Sequence, residues 1–316
     1  MGGGGRPCDT ETVPPKPTNH RTRGFLACAG AGLFWGCGFF FGKIALAEMS
    51  VGTMVFYRFV FAVLGLTPLL FTHPAHFTAR EWKLLLGASF LGVPLQFLIQ
   101  FKGLSLTTVS HASLMVGTMP VLLAVGASVF TKERLNILGW TCLAVSTTGA
   151  ALIALGGRHS SSGPTLTGDL LVVLSLIIAL FWVLLNKKLV ETHSAIIVTA
   201  YGLVSGALML AVIVPFLYGM PPVHGISAKA WAASAASGLL CTASSTLLWN
   251  YGMSQVPASQ AGVFLNMEPL VGSLLGVILL GETLGPLAWI GGSLILLAAI
   301  ILTTRRSSAR EEPALL

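Results

Sequence analysis

Charge is scarce in this chain. Asp, Glu, Lys and Arg make up 9% of its 316 residues, while 54% are hydrophobic. A soluble domain carries about 25% charged residues. With a mean hydropathy of +0.83, the chain cannot dress a water-facing surface, and its class is integral membrane protein. The net charge of +7 then serves topology first and is no sign of nucleic-acid binding. Paired cysteines are lacking too. Cys8, Cys28, Cys37, Cys142 and Cys241 are odd in number and include no CxxC spacing, which excludes a disulfide framework and a zinc site. The chain has no P-loop, GxSxG or HExxH motif and no paired catalytic carboxylates. We expect no enzyme activity, no ATP hydrolysis of its own, and no metal or cofactor.

Long apolar runs are plentiful. A membrane helix needs about 20 mostly apolar residues. Ten stretches qualify, at roughly 24–46, 53–72, 83–103, 108–130, 137–156, 169–187, 194–218, 230–252, 259–281 and 284–303. The run from Gly24 to Gly42 is longer than the roughly 7–15 residues of a signal-peptide core, so it reads as the first membrane helix. Residues 1–23 read as a disordered, Gly/Pro-rich cytoplasmic tail, 157–168 as a linker between two halves, and 304–316 as a second cytoplasmic tail. With the N-terminus inside, 13 Lys and Arg fall on the inner side and 4 outside. That bias places both termini in the cytoplasm.

The two halves resemble each other. Laid over 252–302 at an offset of 149, residues 103–153 give ten identities. Pro120 meets Pro269 and Glu133 meets Glu282, thirteen apart in each half. Phe34–Trp35 is echoed by Phe181–Trp182. Five spans per half is an odd number, so the second half enters the membrane upside down. Inverted repeats with broken helices are the signature of secondary transporters. The expected fold is an all-α integral membrane protein of ten transmembrane helices in two inverted five-helix repeats, 24–156 and 169–303.

Within those spans a few polar residues stand out. Pro120 and Pro269 each remove a backbone donor, freeing the carbonyls of Val116 and Leu265. We expect paired helix breaks lining a cavity. Glu268 sits roughly 14 Å deep at 1.5 Å per residue, where an acid faces a cavity by default; substrate contact, proton carriage and anchoring are all open to it. Its repeat counterpart is Met119. Arg58 is a cation well inside a span, suited to a carboxylate or phosphate. Its depth disfavours a direct pair with Glu268 and favours a freed carbonyl, Glu48 or Glu282. Lys43 and Lys102 lie at the outer edge, where they could attract anions. His111, Met115 and Thr118 share a helix face. Their counterparts are Gln260, Phe264 and Met267. Gln96 and Gln100 share another face, and buried amides there, like Asn250 and Asn266, need partners. Trp35 and Trp182 sit mid-span, while Trp249 reads as an interfacial belt residue. Glu133 and Glu282 read as acids that complement the start of the following helix.

Four segments, "LFWGCGFFFGK", "FYRFVFA", "TMPVLLAVGASVFTKERL" and "NMEPLVGSLLGVILLGETL", resemble the EamA-type branch of the drug/metabolite transporter superfamily over about 24–303. The resemblance implies an alternating-access carrier in a prokaryotic plasma (inner) membrane, with a central cavity between the halves. From residues and resemblance together the expected function is secondary transport of small polar or amphiphilic metabolites, specifically export of amino-acid-like compounds. Two alternatives stay open: an antiporter of anionic substrates such as nucleotide sugars or sugar phosphates, and a non-transporting receptor or assembly factor. The expected partners are a small-molecule substrate and the lipid bilayer, with no nucleic acid, for a monomer or homodimer.

Overall fold

The computed structural model describes residues 18–130, 137–156, 164–190, 192–255 and 262–311. The expected tail over 1–17, Lys132–Glu133–Arg134, residues 157–163 of the linker, Gln260 and 312–316 lie outside them. The described residues are helical, with no strand.

The first half runs α1 (Thr18–Leu46), α2 (Val51–Thr72), α3 (Ala79–Phe90), a π-helix (Leu91–Leu95), α4 (Gln96–Ser105), α5 (Val109–Val116), α6 (Met119–Phe130) and α7 (Ile137–Gly156). The second runs α8 (Leu166–Val190), α9 (Ala195–Tyr218), α10 (Ala228–Gly238), a second π-helix (Leu239–Ser244) and α11 (Ser245–Gln255). A 3₁₀ turn (Gly262–Asn266), α12 (Met267–Leu280) and α13 (Pro286–Glu311) complete it. Two tail boundaries need correction. The first helix begins at Thr18 and the last continues to Glu311, because neither flank carries a helix-stopping Gly or Pro until 14–17 or 313.

The repeat reaches further than sequence identity does. An offset of 149 carries α3 onto α10, the first π-helix onto the second, α4 onto α11, α6 onto α12 and α7 onto α13. The helix starts match as well. Thr78 accepts from the Glu81 N–H and Ser227 from the Ala230 N–H, while Ser50 and Ser194 cap α2 and α9. Each such cap contributes about 1 kcal/mol. The expected helix breaks fall where the prolines put them. The chain turns at Gly117–Thr118 and passes from 3₁₀ to α-helix at Asn266–Met267, the same repeat position in both halves.

Among the described residues, five helices are long and apolar enough to cross a membrane: Thr22–Leu46, Val51–Thr72, Ala79–Ser105, Leu166–Val190 and Ala195–Tyr218. Shorter apolar helices cover Val109–Leu122, Ile137–Ile153, Phe264–Leu280 and Pro286–Ala298. The fourth and ninth stretches are each interrupted just before their prolines, at Gly117–Thr118 and at Asn266–Met267. The eighth stretch is helical from Ala228 to Gln255 but diluted by Ser, Thr and Asn. This is a multi-pass architecture that buries Arg58, Gln96, Gln100, His111, Asp169 and Asn250 inside it.

Candidate substrate cavity

A cavity of about 150 Å³ lies where the two halves meet. Equivalent positions of both repeats line it. Trp35 faces in from one half and Trp182 from the other, as do Val116 and Leu265, Met119 and Glu268, and Gln100 and Trp249. The residues whose carbonyls the prolines free, Val116 and Leu265, are therefore both at its wall. The pair Arg58 and Gly202, on α2 and α9, breaks the symmetry and leaves one guanidinium on one side.

The second π-helix holds that guanidinium. Arg58 Nε donates to Thr242 Oγ1 at 2.7 Å, and Nη2 donates to the Cys241 carbonyl at 3.1 Å. The carbonyl partner is thus that of Cys241 in a π-helix, where the i→i+4 ladder is interrupted, and not one of the two that the prolines free. The Phe97 and Phe101 rings, one turn apart on α4, lie to one side of the group, 4.8 and 5.1 Å from its central carbon. Desolvated cation–π contacts of this kind are worth about 2 kcal/mol. Glu48 and Glu282 are engaged elsewhere. No carboxylate comes within 4.0 Å of Arg58 among the described residues. Glu268 lines the same cavity.

The cavity is closed at one end. Phe101 packs onto Gly42, where a methyl group would sit 2.3 Å from the ring. Lys43 Nζ donates to the carbonyls of Leu104 (3.0 Å) and Thr107. Three carboxylates tie the two halves together at this face. Glu48 accepts from Ser227 N–H and Oγ–H, both at 2.7 Å. Glu282 accepts from Val109 N–H at 2.7 Å and Ser110 N–H at 2.8 Å. Asp169 accepts from Thr107 Oγ–H at 2.6 Å and meets His111 Nδ1 at 3.4 Å. At the opposite end α8 and α11, the repeat counterparts of α1 and α4, make no comparable contact among the described residues. There Asn186, Thr199 and Trp249 extend the lining toward the α8–α9 turn. Arg58 and Phe101 are buried, whereas Asn186 and Trp249 are only half-buried.

Six sequence-selected residues thus meet at the wall: Trp35, Trp182, Gln96, Gln100, Arg58 and Glu268. Others do not. His111 pairs with Asp169, Met115 is buried in the core, and Thr118 Oγ1 donates to the Met115 carbonyl inside the helix break. The cavity face of that helix lies one residue further round, at Val116 and Met119. Phe264 packs on Phe25 and the Cys28 cluster, and Asn266 is buried at the second break outside the lining. Asn250 stands behind the wall, donating to the lining Thr199. Lys43 is a closing residue and Lys102 is exposed. Glu282 caps α5 and not the helix after it, because Gly281, at φ 67°, folds the chain back. Trp249 is a cavity residue in ring contact with Trp35, centroids 5.4 Å apart, and not a belt residue. Its repeat position, equivalent to Gln100, is the sequence signal that would have identified it. Asn186, Thr242 and Asp169 carried no signal beyond being polar in an apolar stretch.

Known proteins resemble this chain throughout. The EamA-like transporter family model matches residues 22–155 and again 166–304. An "Uncharacterized transporter" of Archaeoglobus fulgidus is 26% identical over 84% of this chain and 91% of its own length. The Escherichia coli K12 "Biotin transporter" is 27% identical over 84% and 88%. The "Probable terminal-alkyne amino-acid exporter" of Streptantibioticus cattleyicolor is 28% identical over 58% of this chain and 60% of its own. A crystal structure named only as that of a protein shares the fold, with a TM-score of 0.64, 17% identity and coverage of 92% of this chain and all of the other. Two consecutive matches to one family model, one per repeat, leave no half unassigned: the chain belongs to the EamA-like transporter family.

Proposed function

We propose that this protein is an alternating-access secondary transporter of ten spans in the plasma membrane, with both termini cytoplasmic. Its cargo is a small polar or amphiphilic metabolite, amino-acid-like, moved outward. One observation carries the reading: a cavity on the repeat axis, sealed at one face, holding Arg58 and Glu268 beside an aromatic wall. Charge at this depth is costly and is explained by a cargo that answers it. The excess of basic residues on one side supports an unsealed face toward the cytoplasm, where an exporter loads. Relatives named for an amino acid and for biotin, both carboxylic acids with an apolar body, support the class. Lys43 is spent on carbonyls and Lys102 is exposed, so neither adds to a polyanion site. Exchange, a cargo gradient or protons would supply the energy.

Counterflow in proteoliposomes tests this with a panel of amino acids, biotin, polyamines, sugar phosphates and nucleotide sugars. Accumulation of a labelled amino acid or carboxylate against preloaded unlabelled cargo is expected. Flux confined to phosphorylated compounds would establish the anion antiporter instead, and no flux at all would leave a receptor or assembly factor.

A further inference from the structure

The α4–α5 turn at the closed end is held from three elements. Lys43 of α1 donates to the carbonyls of Leu104 and Thr107. Glu282, after α12, accepts from the Val109 and Ser110 N–H groups. Asp169 of α8 accepts from Thr107 Oγ–H at 2.6 Å. Thr107 is therefore gripped twice, by its carbonyl and by its hydroxyl. Behind it, His111 Nδ1 lies 3.4 Å from the second carboxylate oxygen of Asp169. Both residues are buried, His111 at 3% and Asp169 at 1% exposure. Neither lines the cavity, so cargo binding gives the pair no task.

Burying such a pair is costly, and uncharged side chains tie helices without that cost. The other half does without it. Gln260 stands at the repeat position of His111, and α1, the counterpart of α8, contains no acid. A titratable pair thus marks one end of a fold whose two ends are otherwise built alike. Imidazole ordinarily changes charge between about pH 5 and 8. Charged, it bonds a carboxylate roughly twice as strongly as a neutral donor does. The other charged groups at this turn are Lys43 from α1 and Glu282 from beyond α12, both engaged on backbone groups. Lys102 of α4 is exposed, Glu268 of α12 lines the cavity, and α7 and the part of α13 before Arg305 carry no charge. We infer that His111 and Asp169 form a proton-binding site that governs the closed end and answers to the pH outside. A proton taken up by His111 fastens α5 to α8, and the turn between α4 and α5 with them; its loss loosens that clasp. Water reaching the pair when the end parts supplies the proton and takes it back. Because the charged pair is complete only in the closed form, acid outside shifts the population toward closure. Placing this end outside rests on the orientation proposed above.

Labelling of Val116→Cys, at the cavity wall, reads how often this end is open, in a chain whose own cysteines are alanine. A membrane-impermeant thiol reagent is added outside right-side-out vesicles at about pH 8 and about pH 5.5. Each rate is divided by that of the same chain carrying His111→Gln, which cancels the thiol's own pH dependence. The ratio should fall at least about threefold on acidification. Asp169→Asn should flatten the response in the same way. Gln already occupies the matching position of the second half, so His111→Gln should fold; should Asp169→Asn not fold, the His111 comparison decides alone. A ratio that is the same at both pH values makes the pair structural and overturns the proposal. So does an absence of labelling from outside at either pH, which would deny that this end opens. A response that follows only the cytoplasmic pH overturns it as well, together with the orientation. Lack of counterflow beside an intact pH response would remove the transport reading and leave the proton site standing.

Discussion

Arg58 is the residue on which most of the account turns, and its neighbours can be changed more gently than it can. Thr242→Val keeps the shape and removes the acceptor of Nε. A hydrogen bond to a charged group is worth about 1.5–3 kcal/mol, so melting temperature and transport should both fall. Glu48 offers a pH test outside the spans. The Oγ–H and N–H of Ser227 hold its carboxyl below the ordinary range. An unfolded chain's Glu titrates near pH ~4.3, so the stabilisation is complete above that value. It is lost as pH falls through the depressed folded one. The melting-temperature advantage of the native chain over Glu48→Gln should therefore be present at pH 7 and shrink on acidification below about pH 4. An advantage independent of pH would show that the carboxylate's charge is not what Ser227 recognises.

Among elements, the prolines mark the two helix breaks in the sequence itself, and the offset of 149 relates one to the other. The π-helices were not legible. "LGVPL" and "LLCTAS" share no residue pattern, since widening a turn by one residue follows from packing against a neighbour. That same packing decides which side of a helix meets the cavity. Periodicity found a polar face at His111, Met115 and Thr118 and could not tell it from the adjacent one, because α5 is buried all round. The first π-helix makes its own prediction. A methyl at Gly92 would lie 2.2 Å from the Trp182 ring. Gly92→Ala should cost about 1–3 kcal/mol by overpacking and alter cargo affinity by pushing the indole. Gly87, with nothing within 4 Å, is the control. Gly87→Ala should be neutral or stabilising by up to about 1 kcal/mol.

For the whole molecule, antiparallel repeats make two cavity ends that are equivalent in design, so closing one and opening the other conserves most contacts. Here the α1–α4 end is closed. Asn186→Cys should react with a membrane-impermeant thiol reagent from the cytoplasmic side of oriented vesicles and be protected by cargo. Labelling from the outside alone would reverse the orientation. The central claim is that cargo crosses only when the closed end parts. Its most direct test places cysteines at Lys43 and Thr107, whose side chain and carbonyl are bonded, in a chain whose own cysteines are alanine. The two are bridged with a short, reducible cross-linker and counterflow is measured. The account predicts that bridging abolishes flux while cargo still binds, and that reduction restores it. Undiminished flux through the bridged protein would contradict it.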